Sequence, residues 1–103
     1  MAAHPDRDDK TNDAFIKQWQ TFIKNPKRVT NDPMEAHYIG FNMWVKAVEK
    51  AKSVATDEVV RAIVGVKVPN LSGGTSEMLA NHHITKPVLI GEIQEDGQFA
   101  TVW

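Results

Sequence analysis

One helix signal, followed by a broad apolar surface, constrains the fold of this chain more than any other feature. Asp32 is suited to the N-cap, Pro33 to the first helical position, and Glu35 to the position from which a side chain reaches back to the cap. The helix is predicted to end near Lys52. Its apolar face and the residues that widen that face are Met34, Tyr38, Phe41, Val45 and Val48, with Ile39, Met43, Trp44 and Ala47. An apolar surface this broad predicts that other elements pack against the helix on more than one side.

A glycine inside this helix strengthens that expectation. Gly40 costs about 1 kcal/mol relative to alanine in a helix interior. The predicted reason for its presence is the close approach of another element.

Two shorter helices are predicted on either side of the long one. The first runs from about Asp13 to Lys24 and ends at Asn25-Pro26, because the residue before a proline avoids the α region. Its stripe consists of Phe15, Trp19, Phe22 and Ile23, with Thr11, Asn12 or Asp13 as the cap. The other begins at a Thr56 cap, buries Val59, Val60, Ile63 and Val64, and stops at Gly65.

The last third of the chain is predicted to be extended. Short strand-like pieces are expected at residues 66–68 and 75–81, separated by an irregular loop over residues 69–74. A terminal hairpin joins residues 87–94 to residues 99–103 through Asp96-Gly97, which favours a two-residue type I′ turn. That turn pairs Ile93 with Ala100 and Gly91 with Val102. The apolar run Val88-Leu89-Ile90 indicates burial on both faces.

The composition is that of one globular α/β domain, α+β as an isolated chain. Its 103 residues are 42% hydrophobic and 24% charged, and 12 Lys and Arg balance 13 Asp and Glu. This balance excludes an overall basic surface for nucleic acid or anionic membrane, and no apolar run is long enough for a membrane span. The absence of cysteine excludes disulfides and thiolate metal sites. Residues 1–12 are predicted to be a polar, disordered lead-in without the apolar core of a signal peptide.

No arrangement of catalytic or metal-binding residues emerges from the polar positions. Neighbouring histidines on a strand point to opposite faces, so His82 and His83 are poor joint ligands, and His37 lies apart on the long helix. The Gly73-Gly74 pair lacks the frame of a phosphate-binding loop and is predicted to be a plain loop. Three serines also lack the context of a nucleophile: Ser53, Ser72 and Ser76.

The remaining candidates favour structural roles. Glu92 is the one acid in an apolar setting, and it is expected either on the solvent side of the hairpin or paired with a cation in the core. A basic cluster near the end of the first helix complements the helix dipole rather than binding nucleic acid: Lys24, Lys27 and Arg28. The helical spacing of the aromatic residues predicts core packing. We therefore expect no catalytic residue, no cofactor-binding residue, no metal site and no enzymatic activity.

Three stretches of the chain resemble one known family. The residues are PKRVTNDPMEAHYIGFNMWVKAVEKA (26–51), VPNLSGG (68–74) and NHHITKPVLIGEIQEDGQF (81–99), followed by Val102-Trp103. Together they are similar to the C-terminal part of urea-type and short-amide-type substrate-binding proteins of bacterial ABC importers, which are type I periplasmic binding proteins. The resemblance spans residues 13–103 in order, whereas Met1 to Lys10 departs from it.

This resemblance implies a fold and a role. The fold is a partial periplasmic-binding-protein lobe, with three helices and a C-terminal hairpin forming a single fragment over residues 13–103. The role is that of the scaffold portion of a urea or short-amide transport protein, without the complete ligand cleft. No ligand-binding residue carries over, because the family positions matched by Tyr38, the Gly73-Gly74 loop, His82 and His83 have no ligand role to transfer.

The implied partners and location follow from the same resemblance. The parent family binds urea or short amides and a membrane permease, with no nucleic acid and no direct membrane insertion. Faces that further lobes would cover predict a homodimer. The family is periplasmic, whereas the sequence as written, without a signal peptide, would remain cytoplasmic. The alternative reading is a small self-associating ligand sensor or adaptor derived from the same scaffold.

Overall fold

The computed structural model describes residues 10–71 and 73–103, and it contains three helices and two small antiparallel sheets. The elements are α1 (Lys10–Ile23), α2 (Asp32–Ala51), α3 (Thr56–Ala62), β1 (Lys67–Pro69), β2 (Thr75–Glu77), β3 (Gly91–Ile93) and β4 (Phe99–Thr101). This is the mixed α/β architecture expected from the sequence. The contacts divide it into two units, of which one contains residues 37–70 and 74–86 and the other contains the rest of the described chain.

The unit of residues 37–70 and 74–86 has a core built on one face of α2. Ile39 and Met43 are completely buried there with Val66 and Val68, and the half-buried Ile63, Met78 and Ile84 pack against them. Strands β1 and β2 are antiparallel, with Val68 opposite Ser76. A further bridge joins Met78 to Ile84 beyond the end of β2. The short strands predicted before and after the loop are therefore confirmed, and they form one hairpin against the helix.

Helix α2 has almost the predicted bounds, but a different residue caps it. The Asn31 side-chain oxygen accepts the Met34 N–H at 3.0 Å, and the Asn31 carbonyl accepts the Glu35 N–H at 3.2 Å. Asn31 is therefore the N-cap, and the prediction that Asp32 caps the helix was wrong by one residue. Asparagine and aspartate cap equally well, so adjacent candidates are separated only by where the chain turns.

Helix α3 begins one residue earlier than a Thr56 cap predicts and ends at Ala62, three residues before the predicted stop at Gly65. Its first residue is Thr56, but the N-cap is Ala55, which has no side-chain cap hydrogen bond. Gly65 has φ +85° and donates its N–H to the Met78 carbonyl at 2.8 Å. A left-handed residue with no Cβ at this point lets the chain leave the helix and enter the hairpin. Val59 is buried as predicted, whereas Val60 is 45% exposed.

Helix α1 begins earlier than its predicted caps. It starts at Lys10, so all three candidate caps lie inside the helix, and Asn12 is buried there. Its end at Ile23 agrees with the prediction, and Lys24 adopts φ +57° just before Asn25-Pro26. The expected lead-in over residues 1–9 lies outside the described residues, while residues 10–12 are helical.

The terminal hairpin forms with a register one residue away from the prediction. Gly91 lies opposite Thr101, Glu92 opposite Ala100, and Ile93 opposite Phe99. The reason is the turn, in which Gln94 donates its N–H to the Gln98 carbonyl at 2.7 Å and Gly97, with φ +82°, donates to the Gln94 carbonyl. This is a three-residue loop with glycine in the left-handed position. A type I′ turn instead needs positive φ at both central residues, and Asp96 does not supply it.

The apolar run before this hairpin is not buried on both faces. Val88 is 87% exposed and Ile90 is 48% exposed, and the strand itself begins only at Gly91. Ile90 is tied by its backbone to the chain end, since it donates to the Trp103 carbonyl and accepts from the Val102 N–H. The predicted double burial needs covering layers that the described residues do not supply.

Two expectations about α2 are also corrected. A Cβ added at Gly40 meets nothing within 4 Å, so none of the described elements approaches the helix at this glycine. The aromatic residues predicted as core are largely outside it: Phe22 is 80% exposed, Phe41 56%, Trp44 44% and Tyr38 38%. Helical spacing places these aromatic residues on a common face of the helix. Whether that face is buried depends on which other elements pack against it.

Candidate functional site

The loop between β1 and β2 is held by a buried carboxylate from the start of α2. Glu35 is completely buried, and its Oε2 accepts the Leu71 N–H at 2.9 Å. Leu71 itself is 3% exposed. A charged acceptor on a buried backbone donor is one of the stronger hydrogen bonds in a protein. The sequence predicted Glu35 as part of a helix cap, and the structure shows that it anchors a loop 36 residues further along the chain.

Hydrogen bonds within the loop use its own polar groups. The Asn70 N–H donates to the Gly74 carbonyl at 3.0 Å, and the Asn70 side chain donates to Ser76 Oγ at 3.2 Å. Gly73 and Gly74 both have positive φ, near +100°, which the tight return of the chain requires. The positive φ values of Gly73 and Gly74 therefore serve the closure of the loop from Asn70 to Gly74.

The serines are placed in structural positions. Ser76 is completely buried and accepts the Asn70 side chain, so its hydroxyl does not face a substrate. Ser53 accepts the Ala55 N–H at 3.0 Å just before α3. Ser72 lies outside the described residues. Both described serines thus accept a hydrogen bond from a group close to them along the chain.

The histidine pair lies in a turn and serves the neighbouring helix. His82 has φ +64°, and its Nε2 lies 3.2 Å from the Val60 carbonyl near the end of α3. The backbone N–H of His83 donates to the Asn81 side chain at 3.0 Å. His82 therefore satisfies one of the carbonyls that a helix end leaves unpaired. Within residues 10–71 and 73–103, no group of three or more His, Asp or Glu side chains is placed to hold a metal ion.

The last polar candidates lie on the surface. Glu92 is exposed on β3, which selects the solvent-side position from the two that the sequence left open. The basic residues Lys24, Lys27 and Arg28 are exposed at the end of α1. Beside them is an open depression of about 330 Å³ lined by Lys17, Gln20, Thr21, Lys24, Asn25 and Pro26. It carries no acid or histidine and is too open to hold a small neutral ligand in a dry environment.

Two buried polar atoms had no signal in the sequence. Trp19 Nε1 on α1 and Gln98 Oε1 beside β4 are buried and have no hydrogen-bond partner. A tryptophan in a helix and a glutamine beside a turn are both common, so the sequence pattern could not show that these two polar atoms would be buried without a partner. A buried polar atom without a hydrogen-bond partner lowers the stability of the folded state.

Helix α2 bears a second apolar face that the hydrophobic core leaves uncovered. With 3.6 residues per turn, Ile39, Met43 and Ala47 lie on one side of the helix, and that side is completely buried. We call the opposite side the outer stripe, and it consists of Tyr38, Phe41, Trp44, Val45 and Val48. The rings of Phe41 and Trp44 stack with centroids 6.0 Å apart. The outer stripe is the largest cluster of aromatic surface on α2.

Comparison with known proteins identifies the class to which this scaffold belongs. The family model of the periplasmic binding protein domain matches residues 7–103, which is nearly the whole chain. The chain therefore belongs to the periplasmic binding protein domain family. Members of this family are binding proteins of the periplasm that work with ABC permeases.

One curated relative gives a measure of length. The limonene hydroxylase of Geobacillus stearothermophilus is 29% identical over 94 residues, which cover 85% of this chain and 17% of the relative. The chain thus spans less than a fifth of the length of this relative. The enzymatic name describes that relative and is not transferred to this chain. No helix in the part of the chain that the structure describes is long and apolar enough to cross a membrane.

Proposed function

We propose that this chain is the scaffold portion of a solute-binding protein from an ABC import system for urea or short amides. The family match over residues 7–103 carries the proposal at the level of class. The finer specificity is supported by the resemblance of residues 26–51, 68–74 and 81–99 to urea-type and short-amide-type proteins. On its own, the chain is proposed to be a homodimer.

The hydrogen bonding of the β1–β2 loop supports a scaffold role rather than direct ligand binding. Glu35, Asn70 and Ser76 are buried and bonded within the chain, and the His82 side chain is used at the end of α3. A urea or amide site needs several polar groups that converge on a small enclosed space. The side chains that would supply such groups here are already committed to holding the loop and the helix end.

The first test is calorimetric titration of the chain with urea and with acetamide. We expect no binding at millimolar ligand, because the described polar groups do not converge on a cleft. Saturable binding of either ligand at or below the millimolar range would contradict the claim that the cleft is incomplete.

The second test asks whether the chain provides a scaffold for urea binding. Residues 13–103 replace the corresponding C-terminal stretch of a urea-binding protein from an ABC importer, and urea affinity is measured beside the parent protein. We expect the graft to bind urea within about tenfold of the parent, since no ligand contact is assigned to these residues. A graft that folds by circular dichroism but loses urea binding would disprove the assignment.

A further inference from the structure

The tip of the β3–β4 hairpin places a carboxyl group next to the backbone nitrogen of an unhindered glycine. Asp96-Gly97 is the one Asp-Gly pair in the sequence, and the sequence contains no Asn-Gly pair. Both residues are exposed. A Cβ built at Gly97 would meet nothing within 4 Å, so the space around this glycine is open.

A hydrogen bond at the tip folds the Asp96 side chain forward along the chain. Its Oδ1 accepts the Gln98 N–H at 2.9 Å, which is the arrangement of an Asx turn. The ring that this bond closes runs from the carboxyl group through the Gly97 nitrogen. The Asp96 carboxyl carbon is therefore held beside the peptide bond whose nitrogen can attack it.

One further hydrogen bond restrains that nitrogen. The Gly97 N–H donates to the Gln94 carbonyl at 3.0 Å, and this bond has to open before the nitrogen can lose its proton. The bond lies at the exposed tip of a hairpin whose strands have three residues each. Because loop tips open locally at far lower cost than the core, we expect it to open without unfolding of the helices.

We propose that Asp96 is a site of covalent modification, at which the chain converts aspartate to isoaspartate without an enzyme. The Gly97 nitrogen loses its proton to solvent and attacks Asp96 Cγ. The N–Cγ bond forms, and the carboxyl hydroxyl takes up a proton and leaves as water, giving a cyclic imide. Water then adds to the Asp96 backbone carbonyl carbon and breaks its bond to the Gly97 nitrogen, so that the backbone runs through Cγ. The net change is an isomerisation in which no atom is gained or lost.

The modification changes the turn that sets the hairpin register. Isoaspartate inserts the Asp96 Cβ into the backbone, whereas the bond from the Gln94 N–H to the Gln98 carbonyl, at 2.7 Å, depends on the present loop length. Since loop length determines register, the isoaspartate form should lose the pairing of Ile93 with Phe99. Hydrogen exchange at the Gln94 amide should therefore be faster in the isolated isoaspartate form. Equal exchange in the two forms would contradict this consequence.

The test incubates the whole chain at neutral pH in water enriched in oxygen-18, followed by tryptic digestion in ordinary water and tandem mass spectrometry. Each imide that is hydrolysed takes up one heavy oxygen. The expected result is a label at Asp96 that grows with time, on a residue that protein isoaspartate methyltransferase methylates. Asp57 is the internal control, because it is also exposed but precedes Glu58 within α3; it should stay unlabelled.

Two substitutions test whether the Gly97 nitrogen is the attacking group. Gly97→Asn keeps a residue that tolerates positive φ but places a side chain beside the nitrogen, so labelling should slow severalfold. Asp96→Asn offers the same nitrogen an amide, which loses ammonia more readily than a carboxyl group loses water at neutral pH, so labelling should become faster. Circular dichroism verifies that each variant retains its helices.

The remaining outcomes overturn the proposal. An Asp96 that stays unlabelled in the folded chain, whether or not a synthetic peptide of residues 92–100 is labelled, would show that the folded hairpin does not undergo the reaction. Labelling of the Gly97→Asn variant at the rate of the original chain would exclude the Gly97 nitrogen as the attacking group. These results are independent of urea and amide specificity, which the graft and the titrations test separately.

Discussion

At the scale of single residues, Glu35 has a structural role that the sequence did not reveal. Glu35 stands three residues after Asp32, a spacing that matches a helix cap, yet its Oε2 accepts a backbone N–H from the β1–β2 loop. In a helix cap and in the observed loop contact alike, the carboxylate accepts a hydrogen bond from a backbone N–H. The two roles differ in which N–H lies within 3 Å of the carboxylate, and the fold determines which one it is.

Removing this carboxylate should destabilise the chain. Glu35→Ala leaves the buried Leu71 N–H without its acceptor, and an unsatisfied buried donor costs about 1–3 kcal/mol. Glu49→Ala on the same helix is the control, because Glu49 is exposed and surface changes are usually within about 0.5 kcal/mol. Urea denaturation followed by circular dichroism measures both. Equal effects of the two substitutions would show that the contact does not stabilise the loop.

The cap of α2 gives a second prediction at this scale. Asn31→Ala removes the acceptor of the Met34 N–H and should lower the free energy of unfolding by about 1 kcal/mol. Asn31→Asp keeps a side-chain oxygen in the same place, so its stability should be close to that of the original. If Asn31→Ala were neutral in denaturant while Asp32→Ala were costly, the cap would be Asp32 after all.

At the scale of elements, two glycines show which structural roles can be predicted from the local sequence. Gly40 lies in the middle of α2 with open space around it, whereas Gly97 has φ +82° at the tip of the β3–β4 hairpin. Sequence reasoning assigned close packing with another element to Gly40 and a turn to Gly97. The reason was correct only for Gly97, because a turn is a local event and a close approach depends on a distant element.

Alanine substitutions at these two glycines should have opposite effects. Gly40→Ala should stabilise the chain by about 1 kcal/mol through higher helix propensity, since the added Cβ meets nothing. Gly97→Ala should destabilise it by about 1 kcal/mol, because an L-residue is strained at positive φ. Thermal melting of the two variants beside the original protein measures the difference. A loss of stability in Gly40→Ala would indicate a neighbour that covers this part of the helix.

The register of the hairpin belongs to the same scale. Asp96-Gly97 predicts a turn, but the choice between two and three loop residues shifts every cross-strand pair by one. Here Ile93 faces Phe99, and the closing bond joins Gln94 to Gln98. A dipeptide signal identifies the turn, whereas the number of residues with positive φ determines its type.

At the scale of the whole molecule, the excess of apolar surface links stability to concentration. If two copies associate as proposed, the folded state is favoured by mass action as the protein concentration rises. The melting temperature should therefore increase by about 3 °C for each tenfold rise in concentration above the dissociation constant.

Differential scanning fluorimetry over three decades of concentration provides the measurement, with reversibility checked by repeated scans. A melting temperature that stays constant for the original chain would mean that folding and association are not coupled.

The sequence by itself determined the order of elements, because capping residues, proline, glycine and apolar spacing act over a few residues. It determined α2 nearly to its ends, the left-handed glycine Gly65 that follows α3 and the existence of both hairpins. The long resemblance pointed to the family that the match over residues 7–103 shows.

Only the tertiary structure decided which surfaces are inside. Ile39 and Met43 are completely buried while Phe41 and Trp44, on the same helix, are about half exposed. Helical spacing does not distinguish these two faces, because the burial of a side chain depends on which other elements pack against it. The same holds for Glu35, whose partner Leu71 is brought to it by the return of the chain through β1.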